Sequence, residues 1–520
     1  MKRRTLLRAG LAAPLSLGLI GPARWALGQV SFSNTPFTLG VAAGSPTVDG
    51  FVIWTRLAPS PLEGGGMPDA LVNLRWEVAS DADFRELVRT GWVLTRPELA
   101  HSAHVELSGL EPGRSYWYRF TLGTWASPVG RAATLPAMDS MPSRLRVAFA
   151  SCQHFEEGHF GAYRHMYRDA PDWVIFLGDY IYEYAGRPGR VRRHAGGEAR
   201  TLADYRNRHA QYKTDPDLQR MHAAAPWLLT WDDHEVANDY ASDQSGDLSP
   251  EFLSRRAAAY QAYYEHMPLR HAFWRAGGNE LRLYGSYAFG RLASFHLLDC
   301  RQYRSHQACS RPGRGGGQVI MEGNCTELKT PSRSFLGHEQ EAWLERALTE
   351  SGAVWDVLGQ STLLSPAGIA AGGVRRVWTD GWDGYPAARA RLLGWLAARS
   401  DRNAIVLGGD VHSAWVADLK KDFGQTGARA IASEFCGTSI TSRSHLTREM
   451  VAVILRDNPH LQFADPEHRG YAILDIDRAR AQVIFRGLDN VADPDTAVRT
   501  LARFEVRTGT PGARRVDVDG

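Results

Sequence analysis

Five apolar runs in this chain end alike, and the shared ending constrains the fold more than any other feature. VAFA is followed by Ser151-Cys152-Gln153, and VIFL by Gly178-Asp179-Tyr180-Ile181-Tyr182-Glu183. LLT runs into Trp231-Asp232-Asp233-His234-Glu235, DVL into Gly359-Gln360-Ser361, and IVL into Gly408-Gly409-Asp410-Val411-His412. Unbroken apolar runs of this length suit strands buried on both faces of a sheet. Between them lie helical stretches such as GHFGAYRHMYRD, SPEFLSRRAAAYQAYYEHM, HEQEAWLERALTE and ARARLLGWLAAR. That alternation specifies an α/β domain, in which ligands bind in the crevice beyond the carboxyl ends of the strands. A lone polar residue there could be a helix cap. Five in register mark a site.

Before residue 136 the pattern differs. FVIWTRL, LVNLRWEVA, GWVLT, AHVELSGL and SYWYRF, within 37–135, are short, rich in aromatic and β-branched residues, and separated by turns. Their spacing of roughly ten residues predicts a small all-β sandwich of immunoglobulin or fibronectin type. Ala137 to Ser143 reads as a linker, and the α/β region is expected over 145–508.

The first 28 residues combine a basic start, an apolar run from Leu11 to Ile20 and a small-residue site at Ala26-Leu27-Gly28, the order of a signal peptide. Arg3-Arg4 ahead of Leu6-Leu7 resembles the twin-arginine signal and predicts export by that machinery, to the periplasm or outside the cell, an ordinary Sec signal being the alternative. The formal charge of +3 rests on Lys2, Arg3, Arg4, Arg8 and Arg24 of that leader. Without them the balance is slightly negative, so the apparent pI of 8.5 implies no nucleic-acid partner. No other run reaches roughly 18 apolar residues, so no transmembrane segment is expected in the mature chain. Five cysteines are an odd number for an oxidising compartment. Cys309 and Cys325 flank a Gly/Arg-rich loop and could close it, Cys300 and Cys436 read as packed thiols, and Cys152 stands at a strand end.

The residue types at the strand ends point to metal, since carboxylates suit hard cations and imidazole, thiolate and phenolate suit transition ions. Asp179 and Tyr182, three apart after a strand, are expected on one side. Asp410 and His412, two apart in extended chain, are expected to point the same way.

FASCQ, FLGDYIYEY, TWDDHEVANDY, GQSTLL and VLGGDVHSAW together resemble the alkaline phosphatase D (PhoD-type) family of the calcineurin-like metallophosphoesterase superfamily. FTLGVAAGSP and FVIWTRL resemble that family's amino-terminal module. The resemblance implies a four-layer α/β/β/α catalytic domain with a two-metal centre of iron(III) and calcium, zinc being the fallback. Matched by motif, it implies Cys152, Asp179, Tyr182, Asp410 and His412 as ligands, with Asp179 bridging. Either Asp233 or Asn238 would supply a further oxygen. His234 would face the phosphate, with Arg164, His154 and the basic loop 187–200 as possible phosphate contacts. The implied activity is hydrolysis of phosphate mono- or diesters by a hydroxide held between the metals. The alternatives are a phospholipase D-like or teichoic-acid-type phosphodiesterase and, from another class, a non-enzymatic surface-binding protein.

Overall fold

The structure, a computed structural model, describes residues 32–274, 280–371, 374–399, 403–425 and 427–516. The expected leader at 1–28 lies outside the described residues.

The central strands send alternate side chains into two cores, as a pleat of period two requires. In Trp173–Leu177, Val174 and Phe176 face helices while Ile175 and Leu177 face a second sheet. In Asn403–Gly408, Ile405 and Leu407 meet the first sheet and Val406 faces helices beyond. Both faces are apolar, which explains the unbroken runs in the sequence.

The first sheet has ten strands, in the order Thr510–Val516, Val498–Arg507, Arg480–Leu488, Arg469–Asp477, Arg144–Ala150, Trp173–Leu177, Trp227–Thr230, Val41–Thr47, Gly50–Arg56, Ser102–Glu106. The second has seven: Gly285–Phe289, Ala293–Leu297, Trp355–Gly359, Asn403–Gly408, Ala430–Cys436, Ala414–Lys420, Leu461–Asp465. Helices Gly161–Arg168, Leu202–Lys213, Pro216–Ala224 and Phe252–His266 cover the outer face of the first sheet. Helices His338–Glu350 and Pro386–Ala398 cover the outer face of the second. The layers are therefore α/β/β/α, as the family resemblance implies. The strands Arg144–Ala150, Trp173–Leu177 and Trp227–Thr230 run parallel, so their carboxyl ends emerge together.

The amino-terminal strands do pack as a sandwich, around Phe37, Ile53, Leu74, Val105, Tyr118 and Phe120. One of its two sheets, however, continues the large sheet: Val41–Thr47 lies parallel to Trp227–Thr230, with Gly44 opposite Trp227. A side chain at Gly44 would come within 2.7 Å of the Trp227 carbonyl and 2.9 Å of Pro268, so glycine permits the approach. At the other edge, Thr510–Val516 carries the sheet past the expected limit at 508. Cys309 and Cys325 form a disulfide, while Cys152, Cys300 and Cys436 are buried free thiols. Among the described residues no helix is long and apolar enough to cross a membrane.

A basic cluster lies where the strand Gly50–Arg56 meets the helices. His266 donates through Nδ1 to the Ala262 carbonyl at 2.6 Å and stands 2.7 Å from the Arg56 guanidinium through Nε2. His209 stacks on it at 5.0 Å, with both ring nitrogens buried and without hydrogen-bond partners among the described residues. Burial, reinforced by Arg56 and Lys213, holds both imidazoles well below their ordinary pKa. The unfolded chain therefore takes up protons first as the pH falls. Stability is full above about pH 6.5 and is lost below it, as the pH approaches the depressed values. The thermal midpoint should fall on that acid limb, and His209→Leu should make the fall shallower in calorimetry across pH 5 to 8.

Candidate metal centre

Four residues at the strand ends have left-handed backbone without being glycine: Cys152 (φ 58°), Asp179 (φ 56°), Asp410 (φ 63°) and His412 (φ 51°). This conformation costs roughly 1 kcal/mol or more per residue, and its concentration at the tips of three strands marks a functional crevice. Asp410 accepts from the Thr362 hydroxyl at 2.9 Å, and His412 Nε2 stands 3.2 Å from the Tyr182 hydroxyl.

Glu235, fully buried, ties the tips together by accepting the backbone N–H of Asp179 (3.1 Å), Tyr180 (2.6 Å) and Asp232 (3.0 Å). Tyr182 donates to Asp179 Oδ2 at 2.9 Å and accepts from the Ser442 hydroxyl at 2.7 Å. His412 donates through Nδ1 to the Arg443 carbonyl at 3.0 Å, which leaves the Nε2 lone pair toward the crevice. His234 lies with Nδ1 2.7 Å from Glu183 Oε2 and stacks on Tyr182 at 4.2 Å.

Three groups of ligand-capable atoms result, each with its members within 4.8 Å of one another: Cys152, Asp179 and His412; Asp179, Asp233 and His234; Asp233, Asp239 and Asp380. Asp179 belongs to the first two and Asp233 to the last two. Asp179 Oδ1 and Asp233 Oδ1 are both buried without a hydrogen-bond partner among the described residues. Of the two oxygen candidates, Asp233 is in the cluster, while the Asn238 amide oxygen accepts from the Tyr184 hydroxyl at 2.8 Å. Asp410 is in none of the three groups.

Arg164 is not brought to the cluster. Its guanidinium binds Asp495 at 2.8 Å and the Pro494 carbonyl and lies 3.7 Å from Asp217, so the expected phosphate contact has no geometric basis. In the basic loop, Arg190 and Arg192 pair with Glu157 and Asp215. His154 is nearer, its ring tilted against Tyr182 with centroids 4.3 Å apart and Nδ1 accepting the Glu156 N–H. Sequence reasoning missed Asp239 and Asp380. Arg301 donates to Asp232 and lies 2.8 Å from Asp380, and Arg304 also binds Asp380. Asp239 was within reach of the motif TWDDHEVANDY; Asp380 has no apolar strand before it to flag it.

The electrostatics are those of crowded, dry acids. Burial first, then neighbouring anions, pushes the Cys152 thiol, the Asp179 and Asp410 carboxyls and the Tyr182 phenol well above their ordinary values. Burial works against ionisation of Asp233 too, but Arg301 and His234 outweigh it and hold the carboxylate down. Burial likewise opposes the charge on His234, yet Asp233, Glu183 and Asp179 raise it well above the usual imidazole range. Burial depresses His412 to about 3. Thiol, phenol and carboxylates in one dry crevice can all ionise only against cations, and this donor set of S, N and O atoms fits them.

Residues 147–485 match the PhoD-like phosphatase family, and residues 23–136 match the PhoD-like phosphatase N-terminal domain. The chain is 43% identical to alkaline phosphatase D of Bacillus subtilis (strain 168), over 99% of this chain and 89% of that protein. A solved structure described as PhoD superposes with a TM-score of 0.88 at 43% identity, covering 94% of each chain.

Proposed function

The chain belongs to the PhoD-like phosphatase family, and from that premise we propose how its crevice works and where it works. It is an alkaline phosphatase D-like phosphatase, a phosphoric ester hydrolase. The observation that carries the mechanistic reading is the pair of orphaned oxygens on Asp179 and Asp233, buried among acids that only cations can neutralise.

On this reading Cys152, Tyr182, His412 and Asp179 would hold one cation, iron(III). Asp179, Asp233 and Asp410 would supply oxygens toward a second, calcium, with Asn238 as a further candidate oxygen. Zinc is the alternative for either position. Bound there, the cations would acidify water and screen phosphate charge. The chain's own residues do the rest. Asp179 joins the two positions, while Ser442 and the Arg443 carbonyl fix Tyr182 and His412. Glu183 fixes the His234 ring through Nδ1, so that Nε2 can give a proton to the departing alkoxide. The protein works outside the cytoplasm, delivered by the twin-arginine route. The twin-arginine pattern at 1–28 supports that location, and the Cys309–Cys325 disulfide suits an oxidising compartment.

Colour tests the metal assignment. Phenolate and thiolate donation to iron(III) should give concentrated protein a visible absorption band. Tyr182→Phe should bleach or shift it more than Tyr184→Phe does. Active, colourless protein containing zinc and no iron would sink the iron assignment and leave the hydrolase standing. Turnover of p-nitrophenyl phosphate against its bis-ester separates monoesterase from diesterase behaviour.

A further inference from the structure

Beside the acid groups lies a cavity of 540 Å³ bounded by Asn238, Asp239, Trp378 and the loop from Arg311 to Val319. The Cys309–Cys325 disulfide closes this loop, and its glycines press it onto the metal-centre acids. Gly317 donates its N–H to Asp239 Oδ2 at 3.1 Å. A Cβ at Gly317 would lie 2.7 Å from Asp380 Cβ and 2.7 Å from the Trp378 ring, and one at Gly315 2.7 Å from the Ser245 carbonyl. The backbone is therefore fixed against the centre, which sets Arg311 and Arg314 on the cavity wall.

Of the four carboxylates in that wall, Glu183 and Glu198 are paired with cationic side chains, while Asp239 and Asp247 accept only from neutral donors. Glu183 serves His234 and the Asn238 N–H. Glu198 pairs with Arg200 and Arg255, and Asp247 accepts from Ser245 and Ser249. Arg311 donates to Gln318 Oε1 at 3.3 Å, and neither it nor Arg314 has a carboxylate partner among the described residues. Two guanidinium groups without a carboxylate partner among the described residues thus line a cavity that opens beside the candidate metal centre. Its floor includes the half-exposed Trp378 and the exposed Val319.

We propose that Arg311 and Arg314 form an anion subsite for a second phosphate on the substrate. The preferred substrates would then be phosphoesters whose alcohol carries another phosphate, the spacer lying on Trp378 and Val319. The proposal rests on the phosphatase reading and adds the substrate class. Guanidinium groups recognise phosphate through paired N–H donors, which a lysine cannot reproduce. Their exposure makes the contribution sensitive to salt.

The test is steady-state release of phosphate by metal-replete protein from α,ω-alkanediol bisphosphates of three to six carbons and from the matching monophosphates. Wild-type protein should favour one bisphosphate length by about 10-fold in kcat/KM, through KM. The preference should shrink at high salt and collapse in Arg311→Gln/Arg314→Gln. Turnover of both classes with equal kcat/KM, untouched by the double variant, overturns the subsite alone. A preference that survives the double variant also overturns it. No turnover of either class overturns the phosphatase reading and the subsite with it.

Discussion

Asp179→Asn should lower kcat/KM by about 10³-fold, equivalent to about 4 kcal/mol of transition-state stabilisation. The residue belongs to two groups of ligand-capable atoms, and its Oδ1 has no hydrogen-bond partner among the described residues. Asparagine keeps the shape and can still meet the Tyr182 hydroxyl, but it removes the negative charge between the two positions. Metal content, measured by mass spectrometry of the elements, should fall in parallel. Stability should move the opposite way in metal-free protein. There burial first, and then Asp233, Asp232 and Glu235, hold the Asp179 carboxyl well above its ordinary value, a cost to folding above the ordinary carboxylate pKa that asparagine removes. The metal-free thermal midpoint should therefore rise, while the increase on adding metal shrinks, as linkage to binding requires. A variant with full metal and a near-normal rate would show that Asp179 joins nothing.

His234→Ala carries the second large effect, a fall in kcat of about 10²- to 10⁴-fold for alkyl phosphates. The size should depend on the leaving group. p-Nitrophenolate departs without a proton, so its ester should lose at least about 10-fold less than an alkyl ester does. A uniform loss across leaving groups would instead assign His234 to phosphate binding. Glu183→Gln should give a weaker version of the same pattern, because Glu183 acts through the ring it orients.

The strands and the polar residues at their tips were legible for the same reason: both are local. A strand buried on two faces must be apolar throughout, and the residues at its tip follow it directly in the chain. The helix Leu202–Lys213 escaped notice because Arg208, His209, Gln211 and Lys213 are all buried in it, which erases the amphipathic stripe. Asp380 escaped because it reaches the site through Arg301 and Arg304, a contact between segments far apart in sequence. The left-handed backbone at Asp410 and His412 is not legible in the sequence, because non-glycine residues do not advertise positive φ. The joining of the sandwich to the large sheet is an edge pairing, and the backbone groups that make it are the same in every residue.

That edge pairing also governs the order in which the molecule can assemble. Val41–Thr47 has to wait for Trp227–Thr230, and Arg144–Ala150 has its antiparallel neighbour in Arg469–Asp477. A ribosome delivers the amino-terminal partner of each pair long before the other, and the edge of Arg144–Ala150 stays unpaired until the chain is nearly complete. Such distant pairings make for slow folding with strand edges held open meanwhile. The amino-terminal region is thus a module in sequence without being one in folding. The crevice takes shape only when the last strands arrive, so metal capture belongs after chain completion.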